Sequence, residues 1–206
     1  MAAFFGNLRN VVIAGFVLAA GVAAIYVGCL HGTIDTNFWA FVTRWLHVAA
    51  GVMWIGLLWY FNFVQVPTMP KVPAELKGGV TGYIAPAALF YFRWAALVTI
   101  VLGIGLASQS AAYTLGDAFT LGLLGEPNKA ASLIGLGMYL GLIMGFNVWF
   151  IIWPNQQKVL NIGGKGEGLS AEAKAAAGKT AMIASRFNTM ASIPMLFCMV
   201  GAMHTS

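Results

Sequence analysis

Histidine is scarce in this 206-residue chain, and His31, His47 and His204 are where metal-directed chemistry could begin. An imidazole can give one nitrogen to a metal while the other donates a hydrogen bond. His31 closes the first long apolar run, His47 lies early in the second, and His204 ends the fifth. Two histidines on different helices at similar depth meet the requirement for axial ligation of a b-type haem. His47 with His204 is the pair that fits; His31 is the competing ligand or a solvated helix end. Arg44 precedes His47 by one helical turn, so the two share a face. Its guanidinium could pair with a haem propionate or snorkel into lipid headgroups. The bland alternatives are a hydrogen bond from His47 to a neighbouring helix and contact of His204 with water. An ionisable group inside an apolar run favours function.

Other chemistry is excluded. Cys29 and Cys198 stand alone, without a CxxC pair or a CxxCH haem-attachment site. Each reads as a small buried hydrophobe, with a disulfide between them left open. Asp35, Glu75, Asp117, Glu126, Glu167 and Glu172 all fall in expected loops. A proton-driven carrier would place an acid at depth. No HExxH site or nucleophile–base constellation occurs, and Gly163 to Gly168 lacks the spacing of a phosphate loop. The methionines are scattered and read as packing residues.

These residues must be positioned by membrane helices. The chain is 60% hydrophobic and only 8% charged, with a mean hydropathy of +0.81. A soluble domain carries roughly 25% charged residues. A soluble enzyme, a disordered chain and a nucleic-acid-binding module are therefore excluded, despite a pI near 9.4. The expected fold is an all-α integral membrane protein, a bundle of five transmembrane helices in one domain, 1–206. The spans are 11–30, 39–64, 84–107, 131–153 and 182–203, each long enough for roughly 30 Å of hydrocarbon. The first reads as a retained anchor rather than a signal peptide.

Basic residues set the orientation. With the amino terminus inside, Arg9, Lys71, Lys77, Arg93, Lys158, Lys165, Lys174, Lys179 and Arg186 lie inside, and Arg44 and Lys129 outside. The topology is N-in/C-out, which brings all three histidines toward the outer face. Pro67, Pro70 and Pro73 punctuate one inner loop, and Tyr113 to Leu124 is an amphipathic stretch along the outer surface. The Gly163 to Gly168 segment reads as flexible, and Ser170 as a helix N-cap. Gly137, Gly141 and Gly145 form a smooth stripe for close helix packing, within the chain or between chains. Asn62 and Asn147 need interhelical partners. Trp39, Trp45, Trp59, Trp149 and Trp153 mark an interfacial belt.

Thr43-Arg44-Trp45-Leu46-His47, followed by Ala50-Gly51-Val52-Met53-Trp54-Ile55-Gly56, resembles the RWLHxxxGxxWIG signature of the membrane domain of bacterial urate hydroxylases. Phe92-Arg93-Trp94 is similar to that family's F-K/R-W block. Gly145-Phe146-Asn147-Val148 with Ile152-Trp153-Pro154-Asn155-Gln156 resembles its N-V…I-x-P-x-Q block. Ser185-Arg186-Phe187-Asn188-Thr189 through Ser192-Ile193-Pro194-Met195-Leu196-Phe197 resembles its S-R-H-N-T…P-x-L-F block, with His204 at a late histidine position. The resemblance covers about residues 40 to 204. It implies a multi-helix protein of the bacterial cytoplasmic (inner) membrane, tied to a cytochrome c and used in urate oxidation. The chain departs from the pattern at Phe90 and Phe187, where the family has histidines, and at Ala95, where it has an acid. It also has no CxxCH, the mark of the family's cytochrome c domain.

The expected function is thus a membrane subunit of a redox system holding haem b near the periplasmic side. It would pass electrons to or from a periplasmic cytochrome c, beside other membrane redox subunits. The alternatives are a haem-free accessory subunit of a larger membrane complex, and urate oxidation with a separate cytochrome c. No nucleic-acid partner is expected.

Overall fold

The computed structural model describes residues 2–30, 32–124 and 126–204, and all regular structure among them is helical. Five long helices carry the architecture: α1 (Leu8–Gly28), α2 (Thr36–Trp59), α3 (Ala85–Ala107), α4 (Lys129–Phe146) and α5 (Ala171–Gly201). All five are long and apolar enough to cross a membrane. Large apolar side chains lie exposed along them, among them Val17 at 64% and Phe197 at 71%. Such a surface suits lipid and not water, which suggests a multi-pass membrane protein.

Packing divides the chain into two compact units, Met1–Val42 and Thr43–Ser206. In the first, Asn7 caps α1 by accepting from the Asn10 amide. Asp35 accepts from the Phe38 amide at 2.9 Å where α2 begins. Tyr26 stacks on Phe38 with centroids 6.4 Å apart. No residue of α1 is buried.

The second unit is a packed bundle. Trp54, Leu58, Phe92, Met144 and Val148 are its large, fully buried apolar side chains. The glycine stripe is used inside the chain. A Cβ on Gly137 would meet Cys198 and Met199, and one on Gly141 would meet Met195, so α4 lies close against α5. Gly145 faces Ile100 of α3 instead. Asn147 donates to Asn188 Oδ1 at 2.8 Å, and Asn188 donates to Met144 O at 2.9 Å. Asn62 donates to Ser185 Oγ at 2.8 Å, tying α2's extension to α5. Both asparagines thus find interhelical partners. Cys198 is buried and Cys29 exposed, and both thiols are free.

The helices run past the hydrophobic limits expected from sequence, over Thr36–Lys71, Ala74–Ala107 and Lys129–Val159. Proline explains how. Pro67, Pro86 and Pro154 each follow a π-helical turn: Tyr60–Gln65, Val80–Ile84 and Asn147–Ile152. In each case the residue before the proline donates to the carbonyl five residues back: Val66 to Phe61, Ala85 to Val80 and Trp153 to Val148. A proline ring collides with the carbonyl four residues back. Widening the preceding turn moves that carbonyl aside and lets the helix continue. Pro67 and Pro70 therefore lie within helix, and the break comes at Val72–Pro73.

The loops are more ordered than their composition implies. The amphipathic stretch contracts to a short helix, Leu115–Phe119, because Thr114 and Asp117 form a reciprocal cap there. Leu121 and Gly122 then turn the chain at positive φ. The glycine segment, expected to be flexible, folds into turns: Asn161, Gly163 and Gly164 take left-handed conformations, and Asn161 Oδ1 accepts from the Gly166 amide at 2.9 Å. Ser170 caps α5 by accepting from the Ala173 amide, as expected.

Candidate functional site

The bundle has a histidine end and a cavity end. At the histidine end, His47 Nδ1 lies 2.9 Å from Thr99 O. A carbonyl only accepts, so Nδ1 carries the proton and Nε2 keeps its lone pair. A Cβ on Gly103 would sit 2.9 Å from His47 Cε1, so the imidazole occupies the hollow left by that glycine. One turn along α2, Gly51 faces the Thr99 methyl at 3.8 Å. Gly103, the glycine one turn after Thr99, is thus the position that lets the ring reach the α3 backbone. This is the arrangement in which histidines ligate metals, with one nitrogen free and the other held by a carbonyl.

His204 is exposed beyond the end of α5, and its Nδ1 donates to Val200 O at 2.9 Å. Its Nε2 is likewise left free. Trp59 Nε1 donates to Ser192 Oγ at 3.0 Å, fixing the level at which α2 passes α5. The two helices are antiparallel, because Asn62 lies farther along α2 and meets Ser185, farther back along α5. His47 precedes Trp59 by twelve residues, about 18 Å of helix, whereas His204 follows Ser192 by twelve of which the last three lie beyond the end of α5. The hydrogen bonds of the two imidazoles go to different helices. Arg44 is exposed one turn from His47. His31 lies outside the described residues. His47 is thus buttressed by backbone and His204 is accessible, each with a ring nitrogen of the kind that can bind haem iron. Among the described residues, no cluster of three or more His, Cys, Asp or Glu could hold a bare metal ion.

At the cavity end, a space of about 220 Å³ opens between α2, α3, α4, α5 and their extensions. Each π-helical turn contributes to its wall: Phe61, Asn62 and Gln65 from the first, Thr81 from the second, Ile152 from the third. Gln156 and Ser185 add further polar groups. The lining carries no charged side chain. Gln65 Oε1 is buried without a hydrogen-bond partner, the state of an acceptor awaiting a donor.

A third feature lies on the side of α3. Arg93, counted on the inner side by sequence, stands within α3. Its guanidinium carbon lies 3.8 Å from the Trp153 ring centroid, with Phe90, Trp149 and Trp94 at 5.6, 5.9 and 6.0 Å. Trp149 Nε1 donates to Arg93 O at 3.1 Å and holds the two helices together there. An arginine in an apolar helix is costly to desolvate, and a desolvated cation–π stack returns roughly 2 kcal/mol. The rings offset part of the charge cost but leave Nε and Nη1 buried without acceptors.

Thr99, Gly103, Gln65, Gln156 and Arg93 were not singled out by sequence as site residues. A glycine one turn after Thr99 in an apolar run, and prolines at the ends of three spans, are the signals that could have found them. Of the departures from the family pattern, Ala95 touches the histidine end, its carbonyl accepting from the Thr99 hydroxyl at 2.7 Å. Phe90 borders Arg93, and Phe187 lies partly exposed on α5.

No curated protein and no solved structure matches the chain. A family match does exist, and it covers α4, α5 and His204 but not the Arg44–Gly56 or Phe92–Trp94 blocks. Over residues 126–206 the chain matches the urate oxidase N-terminal family, the family whose motifs its sequence resembles.

Proposed function

We propose that this chain is the membrane subunit of a redox system, with His47 and His204 holding a b-type haem and a cytochrome c as electron partner. The observation that carries the reading is the Nδ1–H bond from His47 to Thr99 O, which leaves Nε2 free and the ring fixed. The haem would supply one-electron chemistry at its iron. Gly103 admits the imidazole, Thr99 O sets its tautomer, and Arg44 supplies a cation one turn away for a propionate. We place the amino terminus on the cytoplasmic side of a bacterial inner membrane, which turns the histidine end toward the periplasm and its soluble cytochromes. A pyridine haemochrome assay on purified protein tests the reading. It requires haem b in the wild type and its loss in His47→Ala; haem-free protein, or an unchanged spectrum in the variant, contradicts it.

Two other readings each have a supporting observation. The snug seat of His47 on Gly103 would serve helix packing alone, which favours a haem-free accessory subunit. The family match and the polar cavity favour urate oxidation with a separate cytochrome c. Urate turnover by the purified chain with added cytochrome c would be required for the latter.

A further inference from the structure

We infer that the groove around Arg93 is a binding site for the phosphate of an anionic phospholipid, in the leaflet at the cavity end. Three observations combine. First, Arg93 is a cation on a helix long and apolar enough to cross a membrane, and its Nε and Nη1 are buried without acceptors. Second, every carboxylate of the chain lies in a loop or near a helix terminus, and Arg93 has no ion-pair partner among the described residues. The counter-charge must come from another molecule. Third, the cage is open to the outside of the bundle, since Phe90 is 49% and Trp94 43% exposed.

The shape of the cage selects the ligand. Helical side chains lean toward the helix N-terminus, so Arg93 reaches from α3 toward the cavity end, where Trp153 lies under it. Trp153 and Trp149 cover one face of the guanidinium, and Nη2 is the nitrogen left to meet an incoming oxygen. Exposed Phe90 and Trp94 offer apolar walls beside it, where acyl chains can lie. A soluble anion would match the charge but not those walls. Basic pockets between membrane helices bind anionic headgroups in the same way. Lys71, Lys77, Lys158, Lys165, Lys174 and Lys179, six of the eleven basic residues, also belong to the helix ends and turns at this end, which favours an anionic over a zwitterionic lipid.

Native mass measurement of the full chain, released from vesicles of equal phosphatidylglycerol and phosphatidylcholine, tests the site. We expect a retained phosphatidylglycerol adduct in the wild type, lost at least tenfold in Arg93→Gln and partly kept in Arg93→Lys. Equal retention of both lipids, or an unchanged adduct in Arg93→Gln, overturns the proposal. Inorganic phosphate separates the two sources of the anion: a lipid site keeps its adduct in millimolar phosphate, and displacement overturns the lipid assignment. Should Arg93→Gln not fold, tryptophan quenching in the wild type decides. Brominated phosphatidylglycerol must quench more than brominated phosphatidylcholine at equal mole fraction, and equal quenching overturns the site.

Discussion

The two ends of the bundle solve opposite problems with the same kind of helix. At the histidine end, the glycine at position 103 lets a ring of α2 reach the backbone of α3. At the cavity end, prolines 67, 86 and 154 force π-helical turns, and the widened helices leave about 220 Å³ between them. Close approach fixes one imidazole in one tautomer. Separation leaves the Gln65 carboxamide oxygen without a hydrogen-bond partner. An oriented donor suits a tightly held group, whereas a neutral pocket suits an exchanging solute.

Substitutions can separate the ends. Phe92→Ala should have the largest effect on stability: the ring is 1% exposed, stands at the cavity wall and packs edge-on to Phe61. A loss of about 3–5 kcal/mol is expected, read as a lowered unfolding midpoint in detergent, with haem content per folded chain unchanged. Gly103→Ala should do the reverse. Its methyl would press on His47 Cε1 at 2.9 Å, costing about 1–3 kcal/mol but removing most of the haem. Equal haem loss in both variants would show that the two ends are not independent.

Ser185→Ala removes the acceptor of one Asn62 hydrogen bond at the cavity end. Interhelical hydrogen bonds of this kind are worth about 0.6 kcal/mol, so the unfolding midpoint should shift slightly and the haem spectrum not at all. The smallest effect should come from acid, in the loop at the histidine end. The Thr114 amide and hydroxyl hold the Asp117 carboxyl below its ordinary range. The cap's contribution is therefore fully present above the ordinary aspartate pKa and fades as pH falls through the lowered one. Amide exchange near Thr114 should quicken only below about pH 4, while exchange at the cavity end stays unchanged.

How much of this was legible beforehand depended on how far each interaction reaches along the chain. Five apolar runs, the Ser170 cap and the need of Asn62 and Asn147 for partners follow from local composition and from the cost of burying polar groups. The glycine stripe was legible as a packing face, and the structure supplies its partners, Met195, Cys198 and Met199. His47 stood out because an imidazole in an apolar run is conspicuous. Its partner did not, because Thr99 takes part through its carbonyl, a group every residue has. The cavity was hidden for a related reason: its polar groups come from segments far apart in sequence, joined only once the helices pack. The prolines suggested loop breaks, and only backbone geometry distinguishes a break from a π-helical turn. Arg93 was counted on the inner side by its charge, and its cage stayed hidden because it is assembled from two helices.

Electron paramagnetic resonance of the oxidised, purified protein tests the central claim, that His47 and His204 together hold a b-type haem. The wild type should give the low-spin ferric signal of two imidazole ligands. His204→Ala should convert it to high-spin, since one axial position is then lost, and His47→Ala should release the haem altogether. A wild type without haem, or a low-spin signal that survives both substitutions, would contradict the account.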